Sequence, residues 1–147
     1  MSELAVRFQN ELNVARKAQD KAGVLLLGTV LADIRNHEIA VKRALTDEDV
    51  VEVLRKAIKR RRESVEMFEK GARPELAAAE RREAEALEAW LPAAPSDDEV
   101  RAEIRAAIAG GAKQIGAIMG KVMPRFKGRL DGSVLSRLAK EELGTSA

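Results

Sequence analysis

Side chains able to do chemistry are scarce in this 147-residue chain, and the scarcity bounds what it can do. There is no Cys and a single His, His37. A thiol nucleophile, a disulfide framework and a thiolate or multi-histidine metal site are thereby excluded. His37 stands beside Glu38 late in a helical segment, without the positioned partner and pocket that a general base needs. The carboxylates alternate with Lys and Arg at one-turn spacing, which is the pattern of a solvated helix face. Gly110-Gly111-Ala112-Lys113 has neither the spacing nor the preceding strand of a nucleotide-phosphate cradle. No catalytic residue, metal ligand or cofactor is assigned.

The cations say more. The formal net charge is only +2, with 17 basic and 17 acidic residues through position 92 and nine against seven after it. Between Gly110 and Arg129 stand Lys113, Lys121, Arg125, Lys127 and Arg129, and no acid. Four of them surround a helix end and a glycine turn, where a phosphate backbone can come close, so these five are the candidate nucleic-acid-binding residues. With no Tyr in the chain and only Phe126 nearby, base stacking on a single strand is disfavoured against backbone and shape recognition of folded RNA. A second basic run, Arg55, Lys56, Lys59, Arg60, Arg61 and Arg62, wraps around a helix and reads chiefly as a solvated face. Gly116 and Gly120 form a G-x-x-x-G spacing in a segment too short and too charged for a bilayer, so close helix packing is expected of them.

The elements that must position these residues are helices throughout. Aromatics are 3% of the chain and charged residues 34%, and apolar residues recur at steps of three and four with breakers between the runs. About seven helices follow, with no strand pattern. The first is expected over Glu3 to Lys21 with Ala22-Gly23 as its stop, and the second over Val24 to Ala44. Thr46 followed by three acids starts a third that runs to Lys70, and Pro74 starts a fourth that runs to Pro92. Trp90 is expected to cap the bundle these four make. Two prolines three residues apart, Pro92 and Pro95, stop helix continuation, so the expected organisation is an N-terminal bundle over 1–92, a linker at 93–95 and a three-helix domain over 96–147. Ser96 with Glu99 matches a capping box at the start of the second domain. No stretch approaches the roughly 20 apolar residues that span a bilayer, and the N-terminal dozen residues lack a secretory core, so a cytoplasmic location and no membrane partner are expected.

Gly116-Ala-Ile-Met-Gly-Lys-Val-Met-Pro124, followed by Lys127-Gly128 and Asp131-Gly132, resembles the C-terminal signature of the GatB/YqeY family. Glu85 to Pro92, the capped Ser96 segment and the helical N-terminal half are similar to the stand-alone YqeY layout, so the resemblance covers essentially the whole chain. It implies an all-α protein whose small C-terminal domain is related to the tail of GatB, a subunit of the tRNA-dependent amidotransferase, a carbon-nitrogen ligase using glutamine as amido-N donor. In that enzyme the tail helps to engage the tRNA. The motif carries over onto Gly116, Gly120, Lys121, Pro124, Lys127, Gly128, Asp131 and Gly132, whereas nothing here corresponds to the ATP-using catalytic portion. The resemblance thus implies a non-catalytic tRNA-binding module. The alternative is an accessory protein that docks through helix faces on an amidotransferase, a synthetase or another enzyme without touching RNA. A plainer third reading makes the tail a generic helical adaptor kept soluble by its cations.

Overall fold

The computed structural model describes residues 2–126 and 128–145. Among them are seven helices and no strand: α1 (Glu3–Lys17), α2 (Lys21–Val41), α3 (Asp47–Lys70), α4 (Pro74–Glu88), α5 (Asp97–Ala109), α6 (Ile115–Phe126) and α7 (Gly132–Thr145). The chain divides into two compact units, Met1–Leu91 and Pro92–Ala147.

Helix starts follow from side chains that accept the amide hydrogens left free in a first turn. Ser2 accepts from the Ala5 amide, Asp20 from Gly23, Thr46 from Asp49 and Ser96 from Glu99. At Thr46 the box is reciprocal, because the Asp49 carboxylate also accepts from the Thr46 amide at 2.8 Å. Asp47 binds the start of the chain to α3, accepting from the Ser2 hydroxyl and, at 3.1 Å, from the Leu4 amide.

Three expected boundaries are corrected. The first helix stops at Lys17, and Gly23, expected to end it, lies inside the first turn of α2. Gln19 takes the left-handed backbone with φ 57°, and Asp20 then caps α2 through the Gly23 amide at 3.0 Å. A cap with a hydrogen bond outweighs a glycine that merely permits a turn. The second helix likewise ends at Val41, with Lys42 left-handed at φ 57°, and does not reach Ala44. The fourth helix, expected to reach Pro92, closes at Glu88, where the chain tightens into a turn with the Trp90 amide donating to the Leu87 carbonyl and the Leu91 amide to the Glu88 carbonyl, both at 3.0 Å.

In the first unit, Phe8 and Leu12 of α1 meet Val30, Leu31 and Ile34 of α2, Val50, Leu54 and Ile58 of α3, and Leu87 of α4. Trp90 lies over this core, its ring stacked on Phe8 with centroids 4.1 Å apart, and the Arg7 guanidinium lies 5.1 Å from the Trp90 ring centre. The basic run on α3 is largely occupied within the unit: Arg60 pairs with Asp33 of α2 at 2.7 Å, Arg61 with Glu83 of α4 at 3.0 Å and Arg62 with Glu88 at 2.7 Å. Such partly exposed pairs are individually worth at most about 1 kcal/mol.

In the second unit, Val100 and Ile104 of α5, Ile118, Val122 and Phe126 of α6, and Leu135 and Leu138 of α7 close one core. Each helix packs on the other two.

Candidate nucleic-acid interface

Why α6 turns its cations outward is decided by three apolar residues. Ile118, Val122 and Phe126 recur at one-turn spacing and are buried against α5 and α7. The opposite side must therefore face water, and Gly116, Ala117, Gly120, Lys121, Pro124 and Arg125 are all exposed. Lys113 is exposed in the loop before α6, just after Gly111, whose φ of 107° suits glycine alone.

The expectation of close helix packing through Gly116 and Gly120 is overturned. A Cβ built on either would meet nothing within 4 Å. Both lie on the open side because they sit well over a quarter turn from the Ile118–Val122–Phe126 stripe, and helical spacing alone placed them together without saying which way they faced. What the glycines create is a bare strip of helix backbone between cations. Pro124 adds to it: having no N–H, it leaves the Gly120 carbonyl without its usual partner one turn later.

The candidate cations fare differently. Lys121 reaches back over the end of α5, its Nζ 3.8 Å from where a Gly110 Cβ would stand, near the negative end of that helix dipole. Arg125 pairs with Glu103 of α5 at 3.5 Å, while two thirds of its side chain stays exposed. Lys121, Arg125 and Glu103 rim a cavity of about 260 Å³ floored by Ala107 and Val122. Arg129 is exposed, its guanidinium 5.8 Å from the centre of the Phe126 ring, and Phe126 is buried and so offers bases no platform. Lys127 lies outside the described residues. The structure thus brings Lys121 and Arg125 onto one face and adds a carboxylate that the acid-free stretch from Gly110 to Arg129 did not announce.

The rest of the motif serves the fold. Gly128 holds φ 82° in the turn after α6. Asp131 caps α7, its carboxylate accepting from the Ser133 amide and hydroxyl, both at 2.9 Å, while its carbonyl accepts from the Leu135 amide. Gly132 opens α7 close to Met119, where an added Cβ would stand 3.7 Å from the methionine methyl.

On the far side of this unit the arginines are neutralised. Glu142, buried at 6% exposure, accepts from Arg105 at 3.0 and 3.1 Å and from Arg101 at 3.1 Å, and Glu141 accepts from Arg101. The hydrogen bonds from Arg105 and then Arg101 hold the Glu142 carboxyl below its ordinary range, and those from Arg101 do the same to Glu141. Sequence reasoning missed this clamp, which spans some forty residues.

His37 is half-buried beside Asp33, Asn36, Glu52, Lys56 and Arg60 around a cavity of about 290 Å³ between α2 and α3. Asp33 is committed to Arg60, and no group of three His, Asp or Glu suited to a metal occurs among the described residues. Nor is any helix among them long and apolar enough to cross a membrane.

A family model described as Yqey-like protein matches residues 5–143. The chain is 26% identical over 144 residues to a protein of Pyrenophora tritici-repentis named "Altered inheritance of mitochondria protein 41, mitochondrial", a match covering 94% of this chain and 80% of that protein. It is 33% identical over 85 residues to an uncharacterized protein of Schizosaccharomyces pombe, covering 58% of this chain and 69% of the relative.

Proposed function

The chain belongs to the YqeY-like family, and from that premise we propose that it is a non-catalytic tRNA-binding module whose contact surface is the outward face of α6. The observation that carries the reading is the exposed side of that helix, where Lys121 and Arg125 stand beside the bare backbone of Gly116 and Gly120. Lys113 at the entry and Arg129 past the exit extend the cationic track. Phosphates can approach a helix side that carries no side chains, and exposed amines and guanidinium groups meet them with little desolvation. The resemblance of this segment to the tail of the tRNA-dependent amidotransferase supports tRNA over other polyanions. A relation to amide-forming ligases then belongs to the larger enzyme, and this chain supplies the RNA contact without the reaction.

The test is an anisotropy titration with total tRNA across a salt series, using the intact protein and a Lys113→Ala/Lys121→Ala/Arg125→Ala variant. The expected result is binding that weakens steeply with salt, with the log-log slope reduced by roughly 2 to 3 in the triple variant, at about 0.7 to 0.9 per lost phosphate contact. Binding that ignores salt, or a variant that binds as the parent does, overturns the proposal.

A further inference from the structure

Surface helices turn charge to the water, yet the outer side of α2 carries an uncharged stripe. Opposite its buried Val30, Leu31 and Ile34 it exposes Ala22, Leu25, Thr29, Ala32, Asn36 and Ile39. These follow one another at alternating steps of three and four, the a/d spacing of a coiled-coil seam, and no charged residue interrupts them. Leu25 is 69% exposed and Ile39 73%. The one hydroxyl on the seam is withdrawn from it, since Thr29 Oγ1 donates to the Leu25 carbonyl at 2.8 Å. Two large apolar side chains this open, joined by small and uncharged residues, make a stripe of the kind that another element ordinarily covers.

Charge beside the seam says what kind of element. Lys21, Arg35 and, just past the helix end, Lys42 recur along one flank. Arg35 donates to the neutral amide oxygen of Gln9 at 3.4 Å, and no carboxylate among the described residues pairs with any of the three. On the other flank Asp33 is already paired with Arg60. Glu38, the remaining acid of α2, is exposed and lines the cavity between α1 and α2 together with Arg35, so this side of the helix holds three cations to one acid. The charge left for a visitor is therefore positive. A second copy of α2 does not answer it: antiparallel pairing sets cation flank on cation flank, and parallel pairing sets Arg35 opposite Ala40 and Lys21 opposite Leu26.

We propose that the outer face of α2 is a docking site for an amphipathic helix of a partner protein, apolar at heptad spacing and flanked by Asp or Glu. This inference concerns the N-terminal unit and stands whether or not α6 binds RNA.

The probe is a displayed library of helical peptides with Leu fixed at the heptad positions and Glu, Ala or Lys drawn at the flanking ones, panned on the intact protein. Glu-flanked peptides should be retained over Lys-flanked ones by roughly tenfold, the effect of a few exposed ion pairs. A Lys21→Glu/Arg35→Glu variant should reverse that preference. A Leu25→Ser/Ile39→Ser variant should retain neither class while keeping the helical circular dichroism of the parent. Retention without charge preference, a preference untouched by the charge reversal, or no retention at all overturns the proposal. Sedimentation showing a parent dimer that Leu25→Ser/Ile39→Ser dissolves replaces the partner with a second copy.

Discussion

Asp131 and Glu142 act on the fold through a few hydrogen bonds each, and their removal is measurable. Asp131→Ala takes the side-chain cap from α7 and should cost about 1 kcal/mol in urea unfolding followed by circular dichroism. Glu142 carries a pH signature as well. Its carboxyl, like those of Glu141, Asp47 and Asp49, is held below the ordinary range, for Asp49 chiefly by the Arg43 hydrogen bond and for Asp47 by that of Ser2. A depressed folded-state value means that the unfolded chain takes up the proton first on acidification. The stability these groups contribute is therefore complete above the ordinary carboxylate range near pH 4 and is lost as the pH falls through the folded values. Glu142→Gln should lower stability at pH 7, and its gap to the parent should narrow as the pH falls below the ordinary carboxylate range, which a series of denaturation curves decides. Of the five cations that the sequence singles out, Lys113, Lys121, Arg125 and Arg129 are exposed, and Lys127 lies outside the described residues. It could not show Glu103 beside Arg125, because that pairing depends on how α5 lies against α6.

Helices α6 and α2 carry the two proposed surfaces, and α6 allows fold and proposed function to be pulled apart. Since a Cβ at Gly116 or Gly120 meets open space, Gly116→Ala and Gly120→Ala should each stabilise the protein by about 0.5–1 kcal/mol, measured as a higher melting temperature. The packing role expected from the spacing requires the opposite sign. The same substitutions should weaken tRNA binding by placing methyl groups on the bare strip. Gly128→Ala, at φ 82°, should instead destabilise by about 1 kcal/mol. Helix existence was legible because Thr46, Pro74 and Ser96 start helices by local chemistry. The end of α1 was not, since Ala22-Gly23 looks like a stop until Asp20 is seen to accept from the Gly23 amide.

Across the whole molecule, the two units each close a core of their own, and the single Trp lies in the first. Trp90 fluorescence therefore reports the N-terminal unit. Phe8→Ala, which removes the fully buried ring stacked under Trp90, should cost about 3–5 kcal/mol and shift the Trp90 emission to longer wavelength in the native state. The all-helical architecture could be read from periodicity alone. The α3 run reads as chiefly a solvated face, but the carboxylate partners of Arg60, Arg61 and Arg62 on α2 and α4 could not be read, because they depend on how the helices pack. The glycine strip also sets a direction for sequence drift. Any replacement there enlarges the surface, and alanine makes the helix more durable. A pool of random variants screened only for heat resistance should therefore accumulate alanine at positions 116 and 120 early, and the survivors should be sturdier proteins with poorer grip on their ligand.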